Sequence, residues 1–426
     1  MSQFPPTDFI LTNSSIEGIE IYKPAPVIDD HLQETVDFKC PQCGAVTAYS
    51  IIDGGLKCTH CGYYEAPKSV TVGRGAQQFE FTIETMERAI YGWGEARKAL
   101  ECQNCGAEIT LPVQAMTATC PFCASSKVVH RPASQDILRP KFLIPFKIEE
   151  QVCMKIAREW LGSTWMTPKE LRQAAMVADF IPIYLPFWTF DATATSKWQA
   201  EVGHTREERY YDRSSHEWKT RTKTVWRWES GQVQLPFDDV LIQGTRFISR
   251  LLLGRINVYK FDGLVPYEPS YLAGFQAQSF DITLESAWEE SRSEMREVTR
   301  RECIAKASSL KIRNFSMDLD FDGETWRYIL LPVYVASYVY SGCVYQALLN
   351  GQSGEISGQR PVNWKKVWLV IAALLSPGVA LGLIGFVTLL FAGLGVLIAG
   401  VGFLILIIGL VISVIVFQKA QGLDDV

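Results

Sequence analysis

At 426 residues the chain has room for two or three domains. A formal net charge of −5 and a pI near 5.7, without any lysine- or arginine-rich block, argue against a dedicated nucleic-acid binder, which would carry a basic footprint. No secretory signal is read at its start, so the eleven cysteines are not expected to form a disulfide framework.

Residues 1–37 are rich in Pro, Ser, Thr, Asp and Glu without a clear period and read as a flexible N-terminal tail. Two units then share one pattern. Cys40-Pro-Gln-Cys43 is followed by Cys58-Thr-His-Cys61, and Cys102-Gln-Asn-Cys105 by Cys120-Pro-Phe-Cys123, with 14 residues between the inner cysteines each time (44–57 and 106–119). Two thiolates three positions apart present both sulfurs to one ion, and two such knuckles complete a tetrahedral shell of four sulfurs. The intervening loop suits a hairpin that folds back and brings the knuckles together. Gly44, Gly62 and Gly106 follow three of the four second cysteines and supply a left-handed turn, while Ala124 departs from that pattern.

The expected metal ligands are therefore Cys40, Cys43, Cys58 and Cys61 in one site and Cys102, Cys105, Cys120 and Cys123 in the other. The expected cofactor is Zn2+, two structural ions per chain, with iron in a rubredoxin-like shell as the rival metal. Four sulfurs leave no position for a water, so these ions scaffold and do not catalyse. The ribbons are placed at 38–68 and 99–130, joined by a connecting segment 69–98. Each has little core of its own, so metal supplies its folding free energy and makes it a rigid platform.

The next 230 or so residues contain an internal echo. "FLIPFKIEEQVCMKIAREWL" reads as an extended piece and an amphipathic helix, with strands after it in "IPIYLPFWTFDATATSKWQAEVG". "GLVPYEPSYLAGFQ" then precedes the helix "TLESAWEESRSEMREVTRRECIAKA". Strands follow in "YILLPVYVASYVYSGCVYQALLNGQSGEISG", with a hairpin near Asn350-Gly351. Two α+β halves result, 131–240 and 241–361, each a helix followed by an antiparallel sheet.

Other signals in this region are weaker. "DLDFDG", Asp318 to Gly323, imitates the start of a calcium loop, but the twelfth position is Ile329 where a bidentate Glu is needed. The alternation of Asp318, Asp320 and Asp322 with Met317, Leu319 and Phe321 reads as strand and turn. In "WKTRTKTVWRW", Trp218 to Trp228, the basic residues Lys219, Arg221, Lys223 and Arg227 share one face of a strand. That face is either plainly solvated or a contact for anionic headgroups or an acidic partner. His204 and His216 with Glu207 and Glu208 are a weak second metal set without fixed ligand spacing. Cys153, Cys303 and Cys343 read as small buried hydrophobes. Neither a phosphate-cradling Gly-x-x-x-x-Gly-Lys-Ser/Thr nor a Gly-x-Ser-x-Gly elbow is present, so no enzyme is expected.

From Val367 to Phe417 no residue is charged. One bilayer crossing takes about 20 apolar residues, so residues 365–418 read as a transmembrane hairpin turning at "FAGLG", Phe391 to Gly395. Ser376-Pro377-Gly378 falls inside the first span, and Gly378 with Gly382 forms a Gly-x-x-x-Gly suited to close helix packing. Arg360, Lys365 and Lys366 before the first span and Lys419 after the second put both flanks, and both termini, on the cytoplasmic side of the inner membrane. That compartment keeps thiols reduced.

The order of these pieces resembles a family of bacterial membrane-anchored double zinc-ribbon proteins. The resemblance rests on the two ribbons, Ile144-Pro145-Phe146, Trp165 with Pro168, "IYLPFWTFDA" at 183–192 and "NGQSGEISGQRP" at 350–361. It covers most of the chain after residue 37. Such proteins are often labelled primosomal, or replication-restart, helicases through their paired cysteines, a label this sequence fails because it contains no Gly-Lys dipeptide. Some relatives resemble partners of flotillin-like and phage-shock-type membrane proteins. The resemblance and the residues together imply a membrane-anchored zinc-ribbon adaptor or scaffold. It would recruit membrane-associated proteins, flotillin-like ones among them, to the cytoplasmic face, in membrane remodelling or stress. Residues 367–417 would be its contact with the lipid bilayer. The alternative is a membrane-linked nucleic-acid binder reading through its ribbons, which the acidic pI disfavours. The oligomeric state is not legible.

Overall fold

A computed structural model describes residues 9–12, 21–24, 38–67, 71–73, 79–80, 93, 97–112, 119–133, 138–168, 180–214, 217–340, 343–389 and 395–424. The chain is a mixed α+β protein with two four-cysteine clusters near its N-terminus and two long apolar helices at its C-terminus. Within the segment expected as a tail, β1 (Phe9–Thr12) and β2 (Ile21–Pro24) pair as antiparallel strands. The first cysteine unit carries a three-stranded sheet, β3 (Thr47–Ser50), β4 (Gly55–Cys58) and β5 (Tyr64–Glu65).

The remaining strands join one large sheet. In chain order they are β6 (Phe79–Glu80), β7 (Arg97–Cys102), β8 (Glu108–Pro112), β9 (Val128–Pro132), β10 (Phe142–Leu143), β11 (Ile181–Asp212), β12 (Glu217–Gln243), β13 (Val265–Pro266), β14 (Gln276–Ala277), β15 (Ile312–Tyr340), β16 (Cys343–Asn350) and β17 (Ile356–Gly358). Its spine is the antiparallel pair β11 and β15. Helix α1 (Glu150–Gly162) precedes β11 and β12, and helix α3 (Leu284–Ala305) precedes β15 and β16, so the helix-then-sheet order occurs twice as expected. A short helix α2 (Arg250–Ile256) lies between.

The echo has a geometric counterpart. Leu185-Pro186 and Leu331-Pro332 are matching positions of the two halves, and Leu185 stands directly opposite Leu331 in the β11–β15 register. An antiparallel pair that opposes equivalent residues has a local two-fold axis between them. The strands of both halves therefore meet in one sheet across that axis and do not form two separate sheets.

Alternation along these strands sorts two cores onto opposite faces. The even positions Tyr184, Trp188, Phe190, Trp326, Tyr328 and Tyr334 build an aromatic core, covered by Cys153 and Ala157 of α1 and Ala287, Trp288 and Met295 of α3. The odd positions Ile183, Leu185, Phe187, Ile329, Leu331 and Val333 build an aliphatic core with Leu252, Leu253 and Ile256 of α2. Strands buried on both faces read as continuous apolar runs, which is how "IPIYLPFW" and "YILLPVYVA" read. The Asp318 to Gly323 stretch lies within β15, with Asp318, Asp320 and Asp322 exposed and Phe321 buried, as alternation demands.

Two apolar helices, α4 (Trp364–Leu389) and α5 (Gly395–Asp424), are long and apolar enough to cross a membrane, with mean hydropathies of 2.3 and 3.0. The turn expected at 391–395 falls almost wholly outside the described residues. Pro377 sits inside α4 without ending it. Glycines set the contact between the two. A Cβ on Gly378 would meet the Leu406 backbone at 2.7 Å, one on Gly385 the Ala399 nitrogen at 2.5 Å, and one on Gly402 the Gly382 nitrogen at 2.6 Å. Small residues let helix backbones approach where no hydrophobic effect drives association.

The base of this pair is locked to the sheet domain. The Arg360 N–H donates to the Leu423 carbonyl at 3.0 Å, and the Asn363 N–H to the Met166 carbonyl at 2.8 Å. Met166, Val362, Val367, Ile371 and Ala420 pack together there. Arg360, one of the expected flanking charges, turns inward. Its guanidinium lies 4.3 Å from the Trp160 ring centroid and donates to the Trp160 carbonyl and the Ser163 hydroxyl.

Candidate metal centres

The four knuckles are copies of one local structure. In each, the N–H four residues after the first cysteine donates to that cysteine's carbonyl: Gly44 to Cys40 at 2.8 Å, Gly62 to Cys58 at 3.0 Å, Gly106 to Cys102 at 2.8 Å and Ala124 to Cys120 at 2.9 Å. The first cysteine's own N–H donates to the carbonyl one residue further on, of Ala45, Tyr63, Ala107 and Ser125 respectively. The turn requires positive φ, and Gly44, Gly62 and Gly106 adopt 72°, 77° and 79°. Ala124 adopts 56° in the fourth knuckle. The departure in sequence is thus not a departure in shape, although a Cβ in that region costs about 1–2 kcal/mol.

Each set of four sulfurs converges. Within each site the ligand atoms all lie within 4.8 Å of one another. Cys40 and Cys61 sulfurs are 3.4 Å apart, Cys43 and Cys58 3.6 Å, Cys102 and Cys123 3.6 Å, and Cys105 and Cys120 3.7 Å. Sulfurs held at about 2.3 Å from a central ion at tetrahedral angles are about 3.8 Å apart, whereas a disulfide needs about 2.05 Å. The donor set and its spacing therefore fit a tetrahedral thiolate-bound ion such as zinc in both ribbons. The thiols are not shifted alike: those of Cys58 and Cys102 fall below the ordinary value, while those of Cys43, Cys61, Cys105 and Cys120 rise above it. The Cys58 thiol is held down to about 6, chiefly by the Cys61 N–H with the His60 N–H beside it. All eight cysteines picked out by spacing come together, four and four.

The two sites differ in how they join the rest of the molecule. Ribbon 1 touches the large sheet domain through Tyr49, whose N–H donates to the Ala273 carbonyl at 2.9 Å and whose ring lies 5.2 Å from that of Tyr271. A groove of about 370 Å³ runs between them, lined by Phe38, Tyr49, Tyr63, Pro67, Glu268 and Pro269 among others. Ribbon 2 is continuous with the sheet. Its strands β7, β8 and β9 pair with one another, and β8 meets β14 at Thr110 and Ala277. Leu100, Ile109 and Leu111 are buried in the aliphatic core. Its second knuckle is held from the other side, where the Ser337 hydroxyl lies 2.6 Å from the Pro121 carbonyl and 2.9 Å from that of Phe122. The Gln346 side-chain amide donates to the Phe122 carbonyl at 2.5 Å. Ribbon 2 thus shares the core of the large sheet, which supplies the apolar burial that a module of its size has little of by itself.

Among the described residues the weaker sequence signals do not converge on a further centre. His204 Nε2 lies 3.0 Å from Glu229 Oε1 and Glu208 is bridged to Arg221 at 2.8 Å, so Glu208 does not join His204, and Glu207, three positions along β11, falls on the opposite face. His216 lies outside the described residues. Cys153 and Cys303 are buried as expected, but Cys343 is exposed. Sequence reasoning missed one acidic cluster, Asp191, Asp238 and Asp239. Arg327, fully buried, stands opposite Thr189 in the register, donates to its hydroxyl at 3.2 Å and pairs with Asp239 and, at 3.4 Å, Asp191. Residues far apart in sequence meet there through a bulge at which Asp239 takes φ 56°, a signal that no local pattern carries.

Comparison with known proteins finds a distant likeness. The chain is similar to the uncharacterized protein YdjG of Bacillus subtilis (strain 168), 25% identical over 335 residues that cover 78% of this chain and 92% of the other. No protein-family model matches the chain, and no solved structure does. Two four-cysteine clusters and two membrane-length apolar helices are compatible with a zinc-ribbon membrane protein.

Proposed function

We propose that this chain is a non-enzymatic scaffold, carrying two structural zinc ions, that recruits protein partners to the cytoplasmic face of the membrane. The observation that carries the reading is the mechanical continuity from metal to anchor. Ribbon 2 is built into the large sheet, and the segments that leave α1 and β17 hold the base of the apolar helix pair through Met166, Arg360 and Val362. A platform held rigidly at a bilayer raises its effective concentration toward anything else held there. Closed four-sulfur shells favour scaffolding over catalysis. Lys365, Lys366 and Lys419, at the same end of the helix pair, favour a cytoplasmic location for both termini. The resemblance to double zinc-ribbon proteins makes flotillin-like and phage-shock-type membrane proteins the first partners to test, in a setting of membrane remodelling or stress.

The test is affinity capture from membranes in mild detergent, with the full chain, a Cys58→Ser/Cys61→Ser variant and a chain ending at residue 361. A defined protein partner should co-purify with the full chain and appear in the soluble fraction with the anchorless one. If no protein is retained, or if the chain instead holds DNA or RNA at physiological salt, the reading fails and the nucleic-acid alternative replaces it.

A further inference from the structure

Beyond Gly203 the spine strand loses its partner, because β15 begins at Ile312, opposite Val202. The Gly203 N–H still donates to the Lys311 carbonyl at 2.8 Å, and beyond it residues 204–212 of β11 and 217–225 of β12 pair only with each other among the described residues, forming a two-stranded arm. Among the described residues β12 bonds to β11 alone along its whole length, so its outer edge is a row of backbone donors and acceptors. Two-stranded ribbons are marginal by themselves in water.

The arm's surface differs from that of the rest of the chain. Residues 204–228 hold seven basic side chains against four acidic ones, in a chain whose net charge is −5. Arg206 stands directly opposite Lys223, with Lys219 and Arg227 on the same face. Like charges directly opposite each other destabilise a strand pair. Arg221 on that face is already committed to Glu208 and to the Tyr210 ring, 5.3 Å away. Large aromatics are exposed beside them, Trp218 at 70%, Trp228 at 61% and Tyr211 at 46%.

We infer that the outer edge of β12 between Glu217 and Trp228 is a docking site for an extended acidic segment of a partner protein, which adds to the arm as a third strand. Charge complementarity selects an acidic occupant. The open backbone edge selects a strand, since only a peptide satisfies donors and acceptors alternately along it. Alternating side chains of such a strand place carboxylates against Lys219, Lys223 and Arg227, while Trp218 and Trp228 supply apolar contact. The chain's own bilayer is a poor fit. Tyr338 donates to the Gln359 carbonyl at the anchor's base, and Val335 opposes Ile181, so the arm's tip lies at the far end of β11. At about 3.3 Å per residue that strand has a contour of roughly 100 Å. An excess of three positive charges is also small for a nucleic-acid surface, whose affinity scales with the number of phosphates neutralised. The proposal is independent of metal occupancy and of membrane topology.

The experiment uses the full chain in neutral-lipid nanodiscs. The probes are a short peptide alternating glutamate with valine, the same composition in block order, oligothymidylate, and phosphatidylglycerol-containing vesicles. The alternating peptide should bind, protect backbone amides within 217–228 from hydrogen exchange, and exceed the block peptide by about tenfold or more. A K219E/K223E/R227E variant with unchanged melting should lose that binding and gain binding to the alternating lysine–valine peptide. Equal binding of both glutamate peptides, absence of amide protection, failure of the charge reversal, or preferential binding of oligothymidylate or vesicles would each overturn the proposal.

Discussion

Arg327 shows what a single buried charge does in this sheet. Its guanidinium is sealed between Thr189, Asp191 and Asp239, and burial pushes the Asp191 carboxyl above its ordinary range while the nearby guanidinium opposes the rise. Removing one partner of such a group leaves the other charges uncompensated, at a cost of about 3–5 kcal/mol. Arg327→Leu should therefore lower unfolding free energy by that amount in denaturant titration of the detergent-solubilised chain. A loss below about 1 kcal/mol would mean that the carboxylates are satisfied in another way. At this scale the sequence was legible where chemistry is local. The eight ligand cysteines could be picked out because Cys-x-x-Cys spacing encodes the knuckle itself. The Arg327 cluster could not, because its members lie on three strands and are aligned by a bulge at Asp239.

Among the elements, the two ribbons should respond differently to the same lesion. Ribbon 1 has its own three-stranded sheet and leans on the large sheet domain through Tyr49, whereas ribbon 2 contributes Leu100, Ile109 and Leu111 to the aliphatic core. Cys120→Ser should accordingly lower the melting temperature of the whole sheet domain, while Cys58→Ser should leave that transition in place and unfold only ribbon 1. Matched melting curves for the two variants would show that ribbon 2 is energetically separate. The helices 150–162 and 284–305 were readable in the sequence, and so were the strands that follow each of them, whereas β13 and β14 before the second helix were not. That the strands join into spans of 32 and 29 residues was not readable, because alternation reports burial and not continuity. In the apolar helix pair, the expected Gly-x-x-x-Gly identified the packed face only in part. Gly402→Leu should separate the helices, since a Cβ there meets backbone at 2.6 Å, whereas one on Gly400 meets nothing within 4 Å. The Gly402→Leu variant should melt at lower temperature in detergent than Gly400→Leu, and equal melting would argue that the two helices do not pack through these glycines.

At the scale of the molecule, a double-ribbon head, a continuous sheet with an internal two-fold and a pair of membrane-length helices form one connected body. The order of parts was legible from the cysteine spacing and the charge-free run, while their fusion was not, because the contacts between Ser337, Gln346 and the fourth knuckle join residues more than 200 positions apart. Everything proposed for the molecule as a platform depends on both knuckle pairs holding closed structural ions. The most direct measurement is elemental analysis of the full chain, made with ample zinc and purified in detergent. Two zinc ions per chain, falling to one in the Cys58→Ser variant, is the predicted result. One ion or none in the intact protein, or iron with its thiolate absorption in place of zinc, would contradict it.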